Sequence, residues 1–436
     1  MHVIHPHAAG IDLGADAIFI AVEAQPVCEF ATFTEALHQA RDYLVAHRIK
    51  TVAMEATGIY WIPLFDLLEA AALEVCLVNG AHVKNVPGRK SDVLDCQWLQ
   101  QLHSYGLLRP SFVPPDQIRQ LRTYLRLRDD HIGLGAMHIQ HMQKALELMN
   151  IKLHRVISQI HGVSGLRVIE AILAGERDAE RLAGLCDAQI LKRKRTQVVA
   201  SLRGNFAAEH LFALKQALTG WRFYQDQIRD CDVEIEVLLE AMTADLPEGM
   251  QPPKPIRHHK PQVKELHTKL MTLTQGRDAA QLPGMTDLTL LKLIAEVGLD
   301  MSRWPSAKHF TSWLGLSPGI HQSGKRRRRR KRRVKNRAGQ IFRESAQSLA
   351  RSKHVALGGF YRRVKAHRGS GVAIKAVARK LAVLFYNLLR YGIDYVEEGL
   401  QAYERRHKRE MIRSLQRRAK ALGLQVVTPN TEPMVH

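Results

Sequence analysis

The first 115 residues of the chain alternate between short apolar segments with strand character and longer segments with the apolar spacing of a helix. Three strand patterns come first, and helical patterns then alternate with two further strands. In chain order the sequence predicts strands at 10–13, 17–22 and 28–33, a helix at 34–47, a strand at 50–54, a helix at 59–71, a strand at 74–78 and a helix from about 91 to 105. This order predicts an α/β domain.

Four carboxylates lie in this domain at positions where a charge needs an explanation. Asp12 falls inside an apolar strand pattern, where an isolated charge is costly without a metal or a partner. Glu55 directly follows another apolar strand, and Asp92 and Asp95 share one face of a predicted helix. A single acid in such a domain is typically an exposed turn residue. Four together predict a set of hard oxygen ligands for a divalent metal.

The order of elements is that of a ribonuclease-H-like α/β domain, which fits chemistry on nucleic acid phosphates. Two divalent ions about 3.5–4 Å apart could bridge a scissile phosphate between such carboxylates. Mg²⁺ is the expected ion because the candidate ligands are hard oxygens and no soft ligand is nearby. Residues 88–91 lack the Gly-Lys pair of a P-loop, so no nucleotide cofactor is predicted.

The net charge of +22 is distributed unevenly along the chain. Residues 1–115 hold 7 Lys and Arg against 12 Asp and Glu, so the remaining chain carries +27. Residues 320–370 alone hold 18 Lys and Arg and one acid, Glu344. The acidic module and the polyanion-binding surface are therefore separate parts of the chain, and bound metal ions would let the acidic module approach phosphates.

A dense run of basic residues follows Ser323. Because helical sequence with buried-type residues continues beyond the run, it is predicted to hold a phosphate backbone, and the alternative is a solvated tail. On residue type alone, a serine before a glycine is more typical of a turn than of a nucleophile. The predicted nucleic-acid-binding residues are Lys325, Arg326, Arg327, Arg328, Arg329, Arg330, Lys331, Arg332, Arg333, Lys335, Asn336 and Arg337.

The chain beyond the first domain, 1–115, is predicted to be mainly helical. Residues 116–246 have the amphipathic pattern of a helical hairpin or antiparallel coiled coil, which suits a spacer or a dimerisation arm. A proline-rich linker is expected at 247–262, a helical C-terminal domain at 263–400 and a basic tail at 401–436.

Cysteine usage and hydropathy predict a cytoplasmic location. The five cysteines form no CxxC pair and are typical of reduced thiols. Charged residues or histidines interrupt every apolar run before it reaches the length of a membrane span. The first residues also lack the apolar region of a signal peptide.

Short motifs occur in a fixed order along nearly the whole chain. In the first domain they are Ile11-Asp12-Leu13, Met54-Glu55-Ala56-Thr57-Gly58 and Lys90-Ser91-Asp92-Val93-Leu94-Asp95. In the C-terminal domain they are Leu282-Pro283-Gly284, Ala295-Glu296-Val297-Gly298, Trp313-Leu314-Gly315-Leu316-Ser317-Pro318, Ser323-Gly324 and Asn336-Arg337. In these motifs the chain resembles the DEDD transposases of bacterial insertion sequences, which are similar to Piv-type DNA invertases and are guided by a bridge RNA.

The resemblance implies a RuvC-like first domain whose magnesium ligands are Asp12, Glu55, Asp92 and Asp95. It implies that Ser323 is the nucleophile of a C-terminal transposase domain, lies next to these acids across a subunit boundary and forms a phosphoserine link to DNA. The implied partners are double-stranded donor and target DNA, a structured bridge RNA and further copies of the chain in a dimer or tetramer at the nucleoid. Ser91 and Cys96 replace the threonine and alanine common in the family, and neither change removes a ligand.

The residues themselves leave two other functions open. In a junction-resolving nuclease the same acids would activate water, and Ser323 would be structural. A basic RNA-binding protein without enzymatic activity would need neither magnesium nor Asp12, which would leave a charge in a buried strand pattern unexplained.

Overall fold

The computed structural model describes residues 2–56, 58–80, 92–244, 261–323, 326–330, 336–352, 356–392, 408–409 and 412–426. Contacts divide the chain into two compact units, Met1–Val113 and Pro114–His436. Within the described ranges, no helix is both long and apolar enough to cross a membrane.

The first unit is built on a five-stranded mixed sheet. Its strands are β1 (Ala8–Leu13), β2 (Ala17–Val22), β3 (Cys28–Ala31), β4 (Thr51–Glu55) and β5 (Glu74–Val78). The described helices are α1 (Thr34–Ala46), α2 (Trp61–Ala70) and α3 (Asp92–Ser104). The strand order is β3-β2-β1-β4-β5, with β1 antiparallel to β2 and parallel to β4. The predicted ribonuclease-H-like arrangement is confirmed, with element ends shifted by one or two residues.

The two faces of this sheet pack against different helices. Ile11, Ile20 and Met54 are fully buried in the larger core, which also contains leucines of α1 and α2. Ala53 points to the opposite face, where it forms a smaller cluster with Leu99 of α3. Because side chains alternate along a strand, every second residue of β1 and β4 faces α3.

The second unit begins with a long pair of helices. In chain order the structure contains α4 (Asp116–Leu148), α5 (Leu153–Val156), α6 (Val163–Leu173), α7 (Ala179–Gly184), α8 (Ala188–Ser201) and α9 (Ala208–Thr243). Helices α4 and α9 run antiparallel, since Arg128 pairs with Asp232 and His138 lies against Tyr224. At one end of the pair, the shorter helices α5–α8 complete an apolar core that includes Leu146. The amphipathic pattern of this segment predicted such a hairpin.

The C-terminal part of the second unit is mainly helical, as predicted. It contains α10 (Leu266–Leu273), a 3-10 turn (Ala279–Gln281), α11 (Asp287–Val297), a second 3-10 turn (Met301–Arg303), α12 (Ala307–Trp313), α13 (Arg337–Ala350), α14 (Ala356–Arg368) and α15 (Ser370–Tyr391). Phe310, Phe342 and Phe385 are fully buried and pack as rings at its centre. Between α12 and α13 lies an unexpected hairpin of β6 (Gly319–Ser323) and β7 (Arg326–Arg330).

Helix α4 is also attached to the C-terminal helices. The guanidinium of Arg126 donates two hydrogen bonds to the carboxylate of Glu296, at 2.9 and 3.0 Å. The Arg122 side chain donates to the carbonyl oxygens of Ala295 and Glu296 at the end of α11. These bonds satisfy carbonyls that a helix leaves unpaired at its C-terminus, and they fasten the start of α4 to the C-terminal domain.

Candidate functional site

Asp12 and Glu55 lie at the ends of two adjacent parallel strands. The register pairs Ile11 with Met54, the residues immediately before the two acids. Ile11 and Met54 point into the main core and are fully buried. Alternation therefore turns both acids to the opposite face, where α3 packs.

A glycine in β1 lets α3 approach the sheet closely. A Cβ atom on Gly10 would lie 2.9 Å from the Cα atom of Gln100 and would overlap the carbonyl oxygen of Cys96. Any larger residue would push the helix away from the strand. Gly10 is two residues before Asp12, so both face the same helix.

Helix α3 runs antiparallel to β1, and its first turn points toward the acids. At the other end of the helix, the amide of Ile4 donates a 2.8 Å hydrogen bond to the carbonyl oxygen of Ser104. Since Cys96 passes over Gly10, the first turn with Asp92 and Asp95 lies at the level of Asp12. The side chain of Asp92 is outside the described part of the chain.

The pKa of the Cys96 thiol depends on the charges around it. Cys96 is fully buried, and its Sγ donates to the carbonyl oxygen of Val93 at 3.1 Å. Burial raises its pKa to about 12, and the negative charges of Asp12 and Asp95 add to the effect. Both carboxylates are therefore close enough to act on one thiol, which stays protonated near neutral pH.

Glu55 is held against the backbone that follows β5. A Cβ atom on Gly80 would lie 2.7 Å from the carboxyl carbon of Glu55. The amide of Ala56 donates to the carbonyl oxygen of Val78 at 2.8 Å, which extends the strand pairing past the acid. The carboxylate of Glu55 thus lies at the same end of the sheet as Asp12. We call Asp12, Glu55 and the first turn of α3 the acid edge.

The donor atoms of the acid edge suit a hard divalent cation. Asp12, Glu55 and Asp95 offer carboxylate oxygens, and like-charged carboxylates on one face favour a cation between them. Among the side chains that the structure describes, which do not include Asp92, no three histidines, cysteines or acids converge tightly enough to hold an ion.

Family comparisons match both parts of the chain. The model of the IS110-type DEDD transposase matches residues 9–151, and the model described as "Transposase IS116/IS110/IS902 family" matches residues 277–362. The chain belongs to the IS110 family of transposases. Its activity is therefore enzymatic, its substrate is DNA, and family membership implies dependence on a divalent metal. No curated protein matches the sequence.

The two matched regions contain the residues predicted for catalysis. The four acids of the transposase lie inside residues 9–151, and Ser323 lies inside residues 277–362. Ser323 is the last residue of β6, and its partner across the hairpin is Arg326. The side chains of the hairpin, together with Gly324, Lys325 and residues 331–335, lie outside the described part.

Two motifs that carry the family resemblance, residues 313–318 and Asn336-Arg337, contact each other just after the basic run. Asn336 caps α13, since its Oδ1 accepts a 2.9 Å hydrogen bond from the amide of Gly339. Its Nδ2 donates to the carbonyl oxygen of Trp313 at 3.3 Å. A Cβ atom on Gly339 would overlap the carbonyl oxygen of Leu314. The chain is thus tied to the same place before and after the hairpin. Arg337, the residue after Asn336, has an exposed side chain.

Several positioning residues were missed from the sequence. Gly10 and Gly80 set the spacing around the acids, and Cys96 is buried near Asp12 and Asp95. A glycine inside a strand pattern often marks a close backbone approach, so Gly10 carried a usable signal. Gly80 lies two residues after β5, and its contact with Glu55 has no sequence signature.

Proposed function

We propose that this transposase is an RNA-guided DNA recombinase that cuts and joins strands through Ser323, assisted by Mg²⁺ at the acid edge. The ligands would be Asp12, Glu55, Asp92 and Asp95. The observation that carries the proposal is the convergence of three acid-bearing elements on one face of the sheet. Metal-dependent phosphate chemistry needs such a set of hard ligands.

Ser323 would act as a nucleophile toward one DNA phosphate. Its Oγ forms a bond to phosphorus as one phosphorus–oxygen bond of the DNA breaks, and the serine proton passes to solvent while the departing oxygen becomes a hydroxyl. A hydroxyl from another strand then attacks the phosphoserine and restores the serine. Mg²⁺ would supply stabilisation of negative charge on the phosphate oxygens. Because each step exchanges one ester for another, no external energy source is required.

Trapping of a covalent adduct tests the serine. The transposase is incubated with end-labelled donor DNA and Mg²⁺, denatured, and examined for labelled protein. We expect an adduct with the parent chain and with Ser370→Ala, a control serine that is exposed at the start of α15. Ser323→Ala should form none. DNA cutting by Ser323→Ala, together with no adduct in the parent, would establish the water-dependent alternative.

The choice of metal is tested by restoring activity after removal of all divalent ions. Carboxylate ligands prefer Mg²⁺ or Mn²⁺ over softer ions. We expect either ion to restore strand cutting in the chelator-treated protein, and Zn²⁺ to fail. Full activity in excess chelator would contradict a metal at the acid edge.

The guide RNA and the oligomer are further parts of the proposal. The net charge of +27 beyond residue 115 supports binding to a polyanion, and the chain's resemblance to guided transposases supports RNA as one such partner. Exposed apolar side chains on the helix pair, among them Met137 and Phe223, support contact with another copy. Purification without nuclease should recover a structured RNA, and light scattering should give a dimer or tetramer.

A further inference from the structure

An apolar groove of about 720 Å³ lies between α14 and α15, next to the segment that leads into β6. Its size falls within the range of about 300–1,000 Å³ that is typical of small-ligand sites. Leu316, Leu357 and Leu384 form apolar walls, and the aromatic ring of Phe360 is part of the lining. The walls could therefore hold a flat apolar group.

The same groove is bordered by cations. Lys375, Arg379 and Lys380 all belong to its lining, and none of the described lining residues is acidic. Lys375 and Arg379 are four residues apart, so they share one face of α15. The Nζ atom of Lys380 lies 4.5 Å from the centre of the Phe360 ring, and burial lowers the pKa of this lysine. An anionic group at the rim of the groove would offset the free-energy cost of burying the charge of Lys380.

The position of the groove relates it to the hairpin. Pro318 lines the groove and is followed directly by β6, at whose far end Ser323 lies. Five residues of strand extend roughly 16 Å, which corresponds to about five nucleotides at 3.4 Å each. A strand bound along the hairpin would thus reach the groove within a few nucleotides of its contact with Ser323.

We propose that this groove receives one unpaired base of the bound DNA strand, with Phe360 stacked on the base and Lys375 and Arg379 holding the adjacent phosphates. An aromatic ring inside a cationic groove is the combination by which proteins bind single-stranded nucleic acid. An apolar peptide would gain nothing from the cationic rim. The inference rests on the proposed function only in placing DNA on the hairpin.

The test uses the full-length protein and a DNA duplex with a four-nucleotide mismatched bubble that contains 2-aminopurine. This base fluoresces more strongly when it leaves the base stack. We expect binding to raise its emission several-fold, and Phe360→Ala to abolish the rise and to weaken binding about tenfold. Phe33→Ala removes an exposed ring just before α1 and serves as the matched control.

Further variants separate stacking and charge from damage to the fold. Phe360→Tyr should retain the emission change, whereas Phe360→Leu keeps an apolar side chain and should lose it. Arg379→Ala should weaken binding more than Arg368→Ala, which removes an exposed cation at the end of α14. An equal rise in the parent and Phe360→Leu, or no rise in the parent, would overturn the inference.

Two further arms identify the source of the base and separate this inference from the cleavage mechanism. The same probe is also made as RNA, and a response to RNA alone would overturn the assignment to DNA. Ser323→Ala should retain the full emission change, because base capture precedes chemistry. Loss of adduct formation with normal base capture would refute only the serine mechanism.

Discussion

The acid edge and the β6–β7 hairpin carry the residues proposed for one reaction, but their backbones are held in different ways. Asp12 and Glu55 lie at the ends of central strands whose opposite face is buried, and α3 packs tightly above them. The hairpin strands pair with each other in a two-stranded sheet, an arrangement of marginal stability by itself. Ligands for a small cation need fixed positions, whereas a flexible polyanion can be held by a high density of charge.

The largest effect should come from removing one acid while its shape is kept. Asp12→Asn is expected to lower strand cutting by about 1,000-fold or more, because charge stabilisation by the metal is lost. Asp16→Asn alters an exposed acid in the turn after β1 and should leave cutting unchanged. Cleavage assays with thermal melting would separate activity from folding. If Asp12→Asn cut DNA at a rate within tenfold of the parent, the acid edge would not depend on each single carboxylate, and its contrast with the hairpin would fail.

Packing of the acid edge should be sensitive to a single methyl group. Gly10→Ala places a Cβ atom against the backbone of α3 and should lower the free energy of unfolding by about 1–3 kcal/mol. Gly133→Ala is the control, because a Cβ atom there meets nothing within 4 Å. On a helix this change should stabilise by about 0.5–1 kcal/mol. Urea titration measures both, and equal effects would contradict close packing at Gly10.

The hairpin should instead respond to the number of charges. Replacing Arg327 and Arg329 with glutamine is expected to reduce the slope of log affinity against log salt by about 1.8, if each contacts one phosphate. Anisotropy titrations with duplex DNA between 50 and 200 mM salt measure that slope. The control changes Arg181 and Arg195, exposed cations that pair with glutamates. A sequence-dependent loss would indicate base contacts and not backbone binding.

The smallest effect concerns pH and the buried thiol beside the acids. Burial, with the charge of Asp12, raises the pKa of Cys96 to about 12 from an ordinary value of 9.0. The unfolded chain therefore loses this proton first as pH rises. The contribution of this thiol to the free energy of unfolding is fully present below about pH 9. It is lost between pH 9 and 12, by at most about 1.4 kcal/mol per pH unit. Cys96→Ala should flatten the dependence up to about pH 12 in urea titrations, whereas Cys76→Ala should flatten it only up to about pH 11, because burial raises the pKa of that thiol to about 11.

Much of the first unit could be predicted because its elements obey simple periodicities. The continuous apolar character of β1 and β4 marked Asp12 and Glu55 as exceptions that need a partner. The sequence carried no sign that Glu55 contacts Gly80, because that contact depends on the path of the backbone after β5. The β6–β7 hairpin was equally hidden, since an unbroken run of arginines has no alternation between two faces. In that segment the positive charge predicts binding to a polyanion, but it does not predict the backbone conformation.

The antiparallel pair of α4 and α9 separates two parts of the second unit. Its 33-residue α4 extends about 50 Å, the length of roughly 15 base pairs of DNA. One end is fastened to α11 through Arg126 and Glu296, and the other ends in the apolar cluster of α5–α8. Anything bound at that cluster is held a set distance from the C-terminal domain. Adding seven residues to each helix would move the two attachment points about 10 Å further apart, close to three base pairs.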